Sequence, residues 1–227
     1  RSGGNSLLTT LPAMAVASAV ASSGNLGPGF DVIGLALDLR CEVRAERSDA
    51  WTSTHIGAHA PESEQDLVLK AARDAVGADQ PLHLTVTNQI PLARGLGSSS
   101  AAYAAGVAAA LRAVGEDADP DRVYAMTAAE EGHGDNAAAA VYGGLVGVLG
   151  SGRPIRYALD PRWRVVAAIP SFRLLTSDAR DVLPAEVPRP AVVRSVSRVL
   201  ALLEGLRTGD GDILLEAGGD ELHELPR

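Results

Sequence analysis

Lysine and cysteine each occur once in the 227 residues, as Lys70 and Cys41. A Walker-type phosphate loop ends in Gly-Lys followed by Ser or Thr, and Lys70 stands in no such context, so that motif is excluded. One thiol cannot close an internal disulfide, which suits a reducing compartment, and the alternating pattern around Cys41 marks it as a small core residue rather than a nucleophile. Basic residues are outnumbered, 20 against 28 acidic ones, for a net charge of −8, whereas a nucleic-acid surface shows a basic stripe. No apolar run is long enough to span a bilayer, and no internal repeat or low-complexity tract is evident beyond a bias to alanine. The expectation is a cytoplasmic protein with neither nucleic acid nor membrane as partner. Residues 11–21 are apolar but preceded only by Arg1 rather than a basic cluster, so a signal peptide is not expected. Residues 1–13 read as a tag or loose terminus, with Met14 a candidate start.

What is present is enough for a core. Hydrophobic residues make up 46% and charged ones 21%, a globular balance, and the length fits one large or two small domains. Leu82, Leu84 and Val86 alternate with His83, Thr85 and Thr87, a strand with one buried face. Residues 99–114 are almost wholly small or apolar and stop at Gly115, a helix with a glycine cap. Between them lies Pro-Leu-Ala-Arg-Gly-Leu-Gly-Ser-Ser-Ser-Ala-Ala, residues 91–102. Glycines and hydroxyls on a strand-to-helix turn gather backbone N–H groups and the positive helix end around one point, which makes an anion site.

The other elements follow from the same rules. Residues 16–21 are a short apolar strand, and residues 32–46 a second, half-exposed one antiparallel to it. Residues 51–61 read as a surface loop, with His55 and His59 too poorly supported for a metal pair. Residues 66–76 form an amphipathic helix ending at Gly77, and Asp119-Pro120 starts another that runs to Glu131. Residues 151–160 read as a linker or hairpin, and residues 165–169 as a short buried strand. Residues 176–180 form an N-capped helical turn. Residues 190–206 form a helix whose Val193, Val196, Val199, Leu200 and Leu203 face inward, and residues 212–225 a last helical stretch.

Two further segments are dense in polar chemistry. Residues 22–31, Ser-Ser-Gly-Asn-Leu-Gly-Pro-Gly-Phe-Asp, form a loop bracketed by Asn25 and Asp31, and Asn25 serves equally as an Asx-turn residue or a ligand group. Residues 131–136, Glu-Gly-His-Gly-Asp-Asn, put two carboxylates, an imidazole and an amide between apolar segments. Helix capping or a site accounts for them, and their glycines let several side chains turn toward one place.

Taken together these segments resemble the GHMP superfamily of small-molecule kinases, and within it the homoserine kinases. Residues 91–102 resemble the superfamily's phosphate loop, P-x-x-x-G-L-G-S-S-A-A. Residues 22–31 resemble the S-x-N-L-G-P-G-F-D segment distinctive of homoserine kinases, residues 131–136 their E-G-H-P-D-N, and residues 176–184 their T-x-x-A-R-x-x-L-P. The resemblance implies an α+β fold of two lobes, with residues 14–155 as the first and residues 156–227 as a partial second. The family's third motif, G-x-G-P-S, does not occur in the sequence, so exposed apolar surface is expected on the second lobe.

It also implies transfer of the γ-phosphoryl of ATP to the hydroxyl of L-homoserine, in threonine biosynthesis, with Mg²⁺. Pro91, Gly95, Leu96, Gly97, Ser98, Ser99 and Ser100 would form the phosphate cradle, with Ser98 or Ser99 and Glu131 on the metal. Asn25, Asp31, His133 and Asp135 would face the acceptor, the aspartates its amino group, and Arg180 and Arg227 its carboxylate. Asn136, Thr176 and Glu131 would complete the catalytic set. Ser100 stands where the family usually has alanine, Gly134 where it often has proline, and Ser195 where asparagine is frequent; the last is expected to loosen the acceptor site. A catalytically weak pseudokinase and a sister kinase for another small alcohol remain alternatives, and a homodimer is left open.

Overall fold

The computed structural model describes residues 14–57, 66–169 and 176–224. A six-stranded mixed sheet carries the molecule. It comprises β1 (Ala15–Gly24), β2 (Ile33–Arg47), β3 (Thr52–Ile56), β4 (Leu82–Asn88), β5 (Leu145–Val148) and β6 (Pro154–Tyr157). β2, at 15 residues, is the spine: β1 runs antiparallel along one edge, while β4 and β5 share the other. β5 and β6 form a hairpin over residues 145–157, so the segment 151–160, read as a linker or hairpin, holds part of its turn and its second strand.

One face of the sheet is covered by helices, as its side-chain alternation requires. Ala15, Ala17, Ala19, Ala21, Cys41, Val43, Ala45, Leu82, Leu84 and Val86 are all buried, every second residue of β1, β2 and β4. Burial pushes the Cys41 thiol up to about 12, with a smaller contribution from Asp66, so it is an inert core group. α1 (Leu67–Val76) and α2 (Ser98–Val114) pack on this face. Gly106 lets them meet closely, since a Cβ there would lie 3.0 Å from that of Ala71. Each fully buried leucine, such as Leu82, Leu84 or Leu111, contributes about 2 kcal/mol. α1 starts where the buried Asp66 carboxylate accepts from the N–H groups of Val68 and Leu69.

α3 (Pro120–Glu131) starts after Asp119 with proline in its first turn, and α4 (Asp135–Tyr142) lies across β1 and β2. Beyond the hairpin come α5 (Thr176–Asp181), α6 (Arg189–Thr208) and α7 (Gly211–Leu215).

Four expectations are corrected. Residues 52–56 are not loop but β3, an edge strand parallel to β4, and His55 there bonds Asp66 at 2.9 Å; His59 lies outside the described residues. Residues 165–169 form no strand and are exposed, Val166 at 89%, so they are not a buried element. On α6 the buried residues are Ala191, Ser195, Leu202 and Gly205, whereas Val193, Val196 and Leu200 face outward; Val199 and Leu203 alone of the expected face pack inward. The reason is close approach: a Cβ on Gly205 would lie 2.8 Å from Leu214 of α7, so the small side chains face the neighbour. Finally, the last helix ends at Leu215, and residues 216–224 continue as turns.

Candidate active site

The phosphate-type loop is seated from both ends. Asn88, the last residue of β4, accepts from Ile90 N–H and donates to Ser98 Oγ at 3.1 Å, while Leu96 is buried and its carbonyl accepts from Ser22 N–H of β1. Ala93, Gly95 and Gly97 have positive φ, which turns successive N–H groups in the same sense. Gly97 also precedes α2 in the left-handed conformation, and no side chain caps that helix start. A Cβ at Gly97 would collide with Ser22 Oγ, 2.1 Å away, and sit 3.2 Å from Asn136 Oδ1, so only glycine fits.

That contact joins the loop to the other two polar segments. Ser22 Oγ donates to Asn136 Oδ1 at 2.8 Å, and the Asn136 amide and Asp135 carboxylate press against Gly24, where a Cβ would lie 2.7 and 2.4 Å from them. Gly34 in β2 admits the start of α4 in the same way, its missing Cβ only 2.3 Å from the Asp135 carbonyl. Asp135, 1% exposed, accepts from Asn25 N–H at 3.2 Å and pairs with His133 Nδ1 at 2.7 Å. Asn25 Oδ1 accepts from Asp31 N–H at 2.9 Å, so the Asx role and the place beside the site coincide. Arg180, at the end of α5, pairs with Asp31 at 2.6 Å.

The electrostatics follow from this wiring. Burial opposes ionisation of Asp135, but the bond and charge of His133 and the N–H groups of Asn136 and Asn25 hold its carboxyl below the usual carboxylate range. His133 moves the other way, raised by its bond to Asp135 against burial, with the charges of Asp31 and Glu131 adding to the effect. The ligand atoms of Asp31, His133 and Asp135 lie within 4.8 Å of one another. The cluster is negative at its base and carries a guanidinium at its rim, the two charges that an α-amino acid complements.

Most of the residues singled out in the sequence therefore converge: Gly97, Ser98, Asn25, Asp31, His133, Asp135, Asn136 and Arg180 are linked by a continuous series of contacts. Glu131 ends α3, and its field reaches His133. Gly95 has nothing within 4 Å of its added Cβ, Ser99 is exposed, and Ser100 is fully buried with Oγ unpartnered among the described residues. Thr176 begins α5, but its side chain lies outside the described residues, as does Arg227. Ser195 is not in the acceptor cluster. It donates to the buried Asp220 at 2.6 Å. Ser22, Phe30 and His223 were missed as site residues; His223 gave no signal, because the Gly27 carbonyl that it meets lies almost two hundred residues away in the sequence.

Comparison with known proteins agrees with this geometry. Residues 66–144 match the model of the GHMP kinases N terminal domain. The chain is 37% identical over 214 residues to a homoserine kinase of Moorella thermoacetica, covering 90% of this chain and 72% of the relative, and 40% identical over 214 residues to one of Thermus thermophilus, covering 91% and 73%. The chain belongs to the homoserine kinase family. A crystal structure of a family member from Cytophaga hutchinsonii superposes with a TM-score of 0.79 at 26% identity, covering 96% of this chain and 75% of that one. The α+β GHMP kinase fold and membership of a phosphotransferase family are thus findings rather than expectations. Among the described residues no helix is long and apolar enough to cross a membrane.

Proposed function

We propose that the protein transfers the γ-phosphoryl group of ATP to the side-chain hydroxyl of L-homoserine, giving O-phospho-L-homoserine, a step of threonine biosynthesis in the cytoplasm. The observation that carries this reading is the contact of Asn136 with Ser22 and Gly97. It sets the uncapped start of α2 directly beside a cluster bearing both charges needed for a zwitterion, the Asp31 and Asp135 carboxylates and the Arg180 guanidinium that pairs with Asp31.

The loop suits a polyphosphate. Among the described residues its helix start has no side-chain cap, nothing crowds Gly95, and the buried Ser100 hydroxyl has no partner. Mg²⁺ would neutralise charge on the phosphates; the hydroxyls of Ser98 and Ser99 and the Glu131 carboxylate are oxygen donors of the type a hard cation takes. In this reading Asp135 and Asp31 bind the ammonium of the acceptor, Arg180 its carboxylate, and Asn136 orients its hydroxyl toward the phosphate loop. Transfer through a loose transition state requires positioning and charge neutralisation more than a strong base, and no such base is needed here.

The test is a coupled ADP-release assay with L-homoserine, 4-hydroxybutyrate and 3-amino-1-propanol. The reading expects L-homoserine to be preferred by kcat/KM over both one-charge analogues. Preference for the acceptor without an amino group would remove the roles of Asp31 and Asp135 and favour a sister kinase. ATP binding without turnover on any acceptor would favour a pseudokinase.

A further inference from the structure

The acceptor loop, residues 25–31, holds one residue, Leu26, in a backbone conformation that its side chain disfavours. Asn25, Leu26 and Asp31 all have positive φ, at 68°, 42° and 57°; asparagine and aspartate tolerate this region, whereas Leu26 keeps it only where its surroundings over-determine it. From within, Asp31 N–H donates to Asn25 Oδ1, and the N–H groups of Val32 and Ile33 donate to the Gly29 carbonyl. From outside, the turn at residues 216–224 folds over the loop. His223, 5% exposed, meets the Gly27 carbonyl through Nε2 and stacks on the Phe30 ring at 5.0 Å between centroids. The Arg180 guanidinium lies 5.5 Å from the centroid of that same ring and pairs with Asp31.

The turn itself is fixed. Asp220 is fully buried and accepts from Ser195 Oγ of α6 and from the N–H groups of Leu222 and His223. A path of direct contacts therefore runs from α6 through Asp220 and His223 to Phe30, and from Phe30 to Arg180 and Asp31. His223 Nδ1 has no hydrogen-bond partner among the described residues, so the ring contributes one hydrogen bond and one stacking face.

We infer that His223 and Phe30 are positioning residues for the acceptor half of the site, acting through the Gly27 carbonyl and through the aromatic surface on which Arg180 rests. The inference rests on the proposed acceptor role of Asp31 and Arg180. His223 and Phe30 meet the acceptor half at the Gly27 carbonyl and the Arg180 guanidinium, so their loss should act chiefly on the acceptor.

The experiment compares His223→Ala, His223→Gln and Phe30→Leu with wild type in the ADP-release assay, with each substrate varied in turn. His223→Ala is expected to raise KM for L-homoserine about tenfold while kcat and KM for ATP stay within about twofold, an order set by the loss of one charge-orienting contact network. Glutamine supplies an N–H of similar reach but no ring, so His223→Gln should recover part of the loss. Phe30→Leu should raise the same KM, and the double variant should fall short of the product of the two effects, because both lie on one path. If the alanine variant fails to fold, His223→Gln and Phe30→Leu carry the test.

A readout independent of turnover is the Arg180 Nε–H signal in NMR spectra, identified by its loss in Arg180→Lys. It should move in His223→Ala or His223→Gln, since Phe30 then loses its stacking partner. An unmoved Arg180 signal, equal shifts in both KM values, or an acceptor KM within twofold of wild type in His223→Ala and Phe30→Leu overturns the inference. Failure of the wild type to use L-homoserine would sink the functional reading instead, and the Arg180 signal would still decide whether His223 positions that side chain.

Discussion

Replacing Gly34 with alanine would place a methyl group where β2 and α4 nearly touch. The added Cβ would lie 2.3 Å from the Asp135 carbonyl oxygen, 2.9 Å from its carbonyl carbon and 3.2 Å from Ala139 Cβ. The obstacle is backbone, so no side chain can swing aside; relieving it means moving the start of α4 away from the sheet by about 0.7–1 Å. Overpacking of this kind costs about 1–3 kcal/mol, of which alanine in a strand returns about 0.5–1 kcal/mol through lower backbone entropy. The net loss of stability is then between about 0 and 2.5 kcal/mol, too small to unfold a typical domain. The displaced turn, however, carries Asp135 and Asn136, and a misplacement of about 1 Å in such groups lowers rates by about 100-fold. The expected result is a Gly34→Ala protein that melts cooperatively a few degrees below wild type, with kcat/KM for L-homoserine down by about two orders of magnitude. Gly150→Ala is the control, because nothing lies within 4 Å of its added Cβ and its φ is not positive. If Gly34→Ala kept kcat/KM within threefold of wild type, α4 would not be the element that sets the acceptor geometry.

The remaining predictions concern the two buried carboxylates that organise helix starts. Asp66→Ala removes the cap of α1 and the partners of Ser53 and His55, and is expected to lower stability by about 2–3 kcal/mol in urea titrations, with Asp66→Asn losing less; an unchanged midpoint would contradict the capping account. The His133–Asp135 pair predicts a stability window. Asp135, with its folded pKa depressed, contributes above about pH 4 and loses that contribution as pH falls through the depressed value, while His133, with its folded pKa raised, contributes fully below about pH 6.5 and loses it as pH rises through the raised value. The pair therefore stabilises most between about pH 4 and 6.5, and His133→Asn should flatten both flanks of the midpoint-against-pH curve; a constant offset from wild type at every pH would refute the pairing.

Much of this protein was written locally. The alternation of Leu82, Leu84 and Val86, the glycine stops at Gly77 and Gly115, and the Asp66 and Asp119 helix starts each express a rule spanning a few residues, and the structure has each of these elements within a residue or two of its expected place. The composition of the three polar segments was equally legible, because glycine and clustered polar groups mark a turn whatever surrounds it. What the sequence could not hold was whatever depends on an approach between distant parts. Thr52, Ser53 and Thr54 carry no apolar alternation, and they become a strand only because β4 offers a free edge. The stripe Val193, Val196 and Leu200 has helical spacing, yet α6 buries Ala191, Ser195, Leu202 and Gly205 instead, and at Gly205 α7 comes too close for anything larger. Likewise the phosphate-type loop, the acceptor loop and the start of α4 lie more than a hundred residues apart at their extremes, and only the missing side chains of Gly24, Gly34 and Gly97 let them close on one another. Residue types set the chemistry of the site; packing to within van der Waals distance decided which of those residues meet, and brought in His223 and Phe30 to hold them.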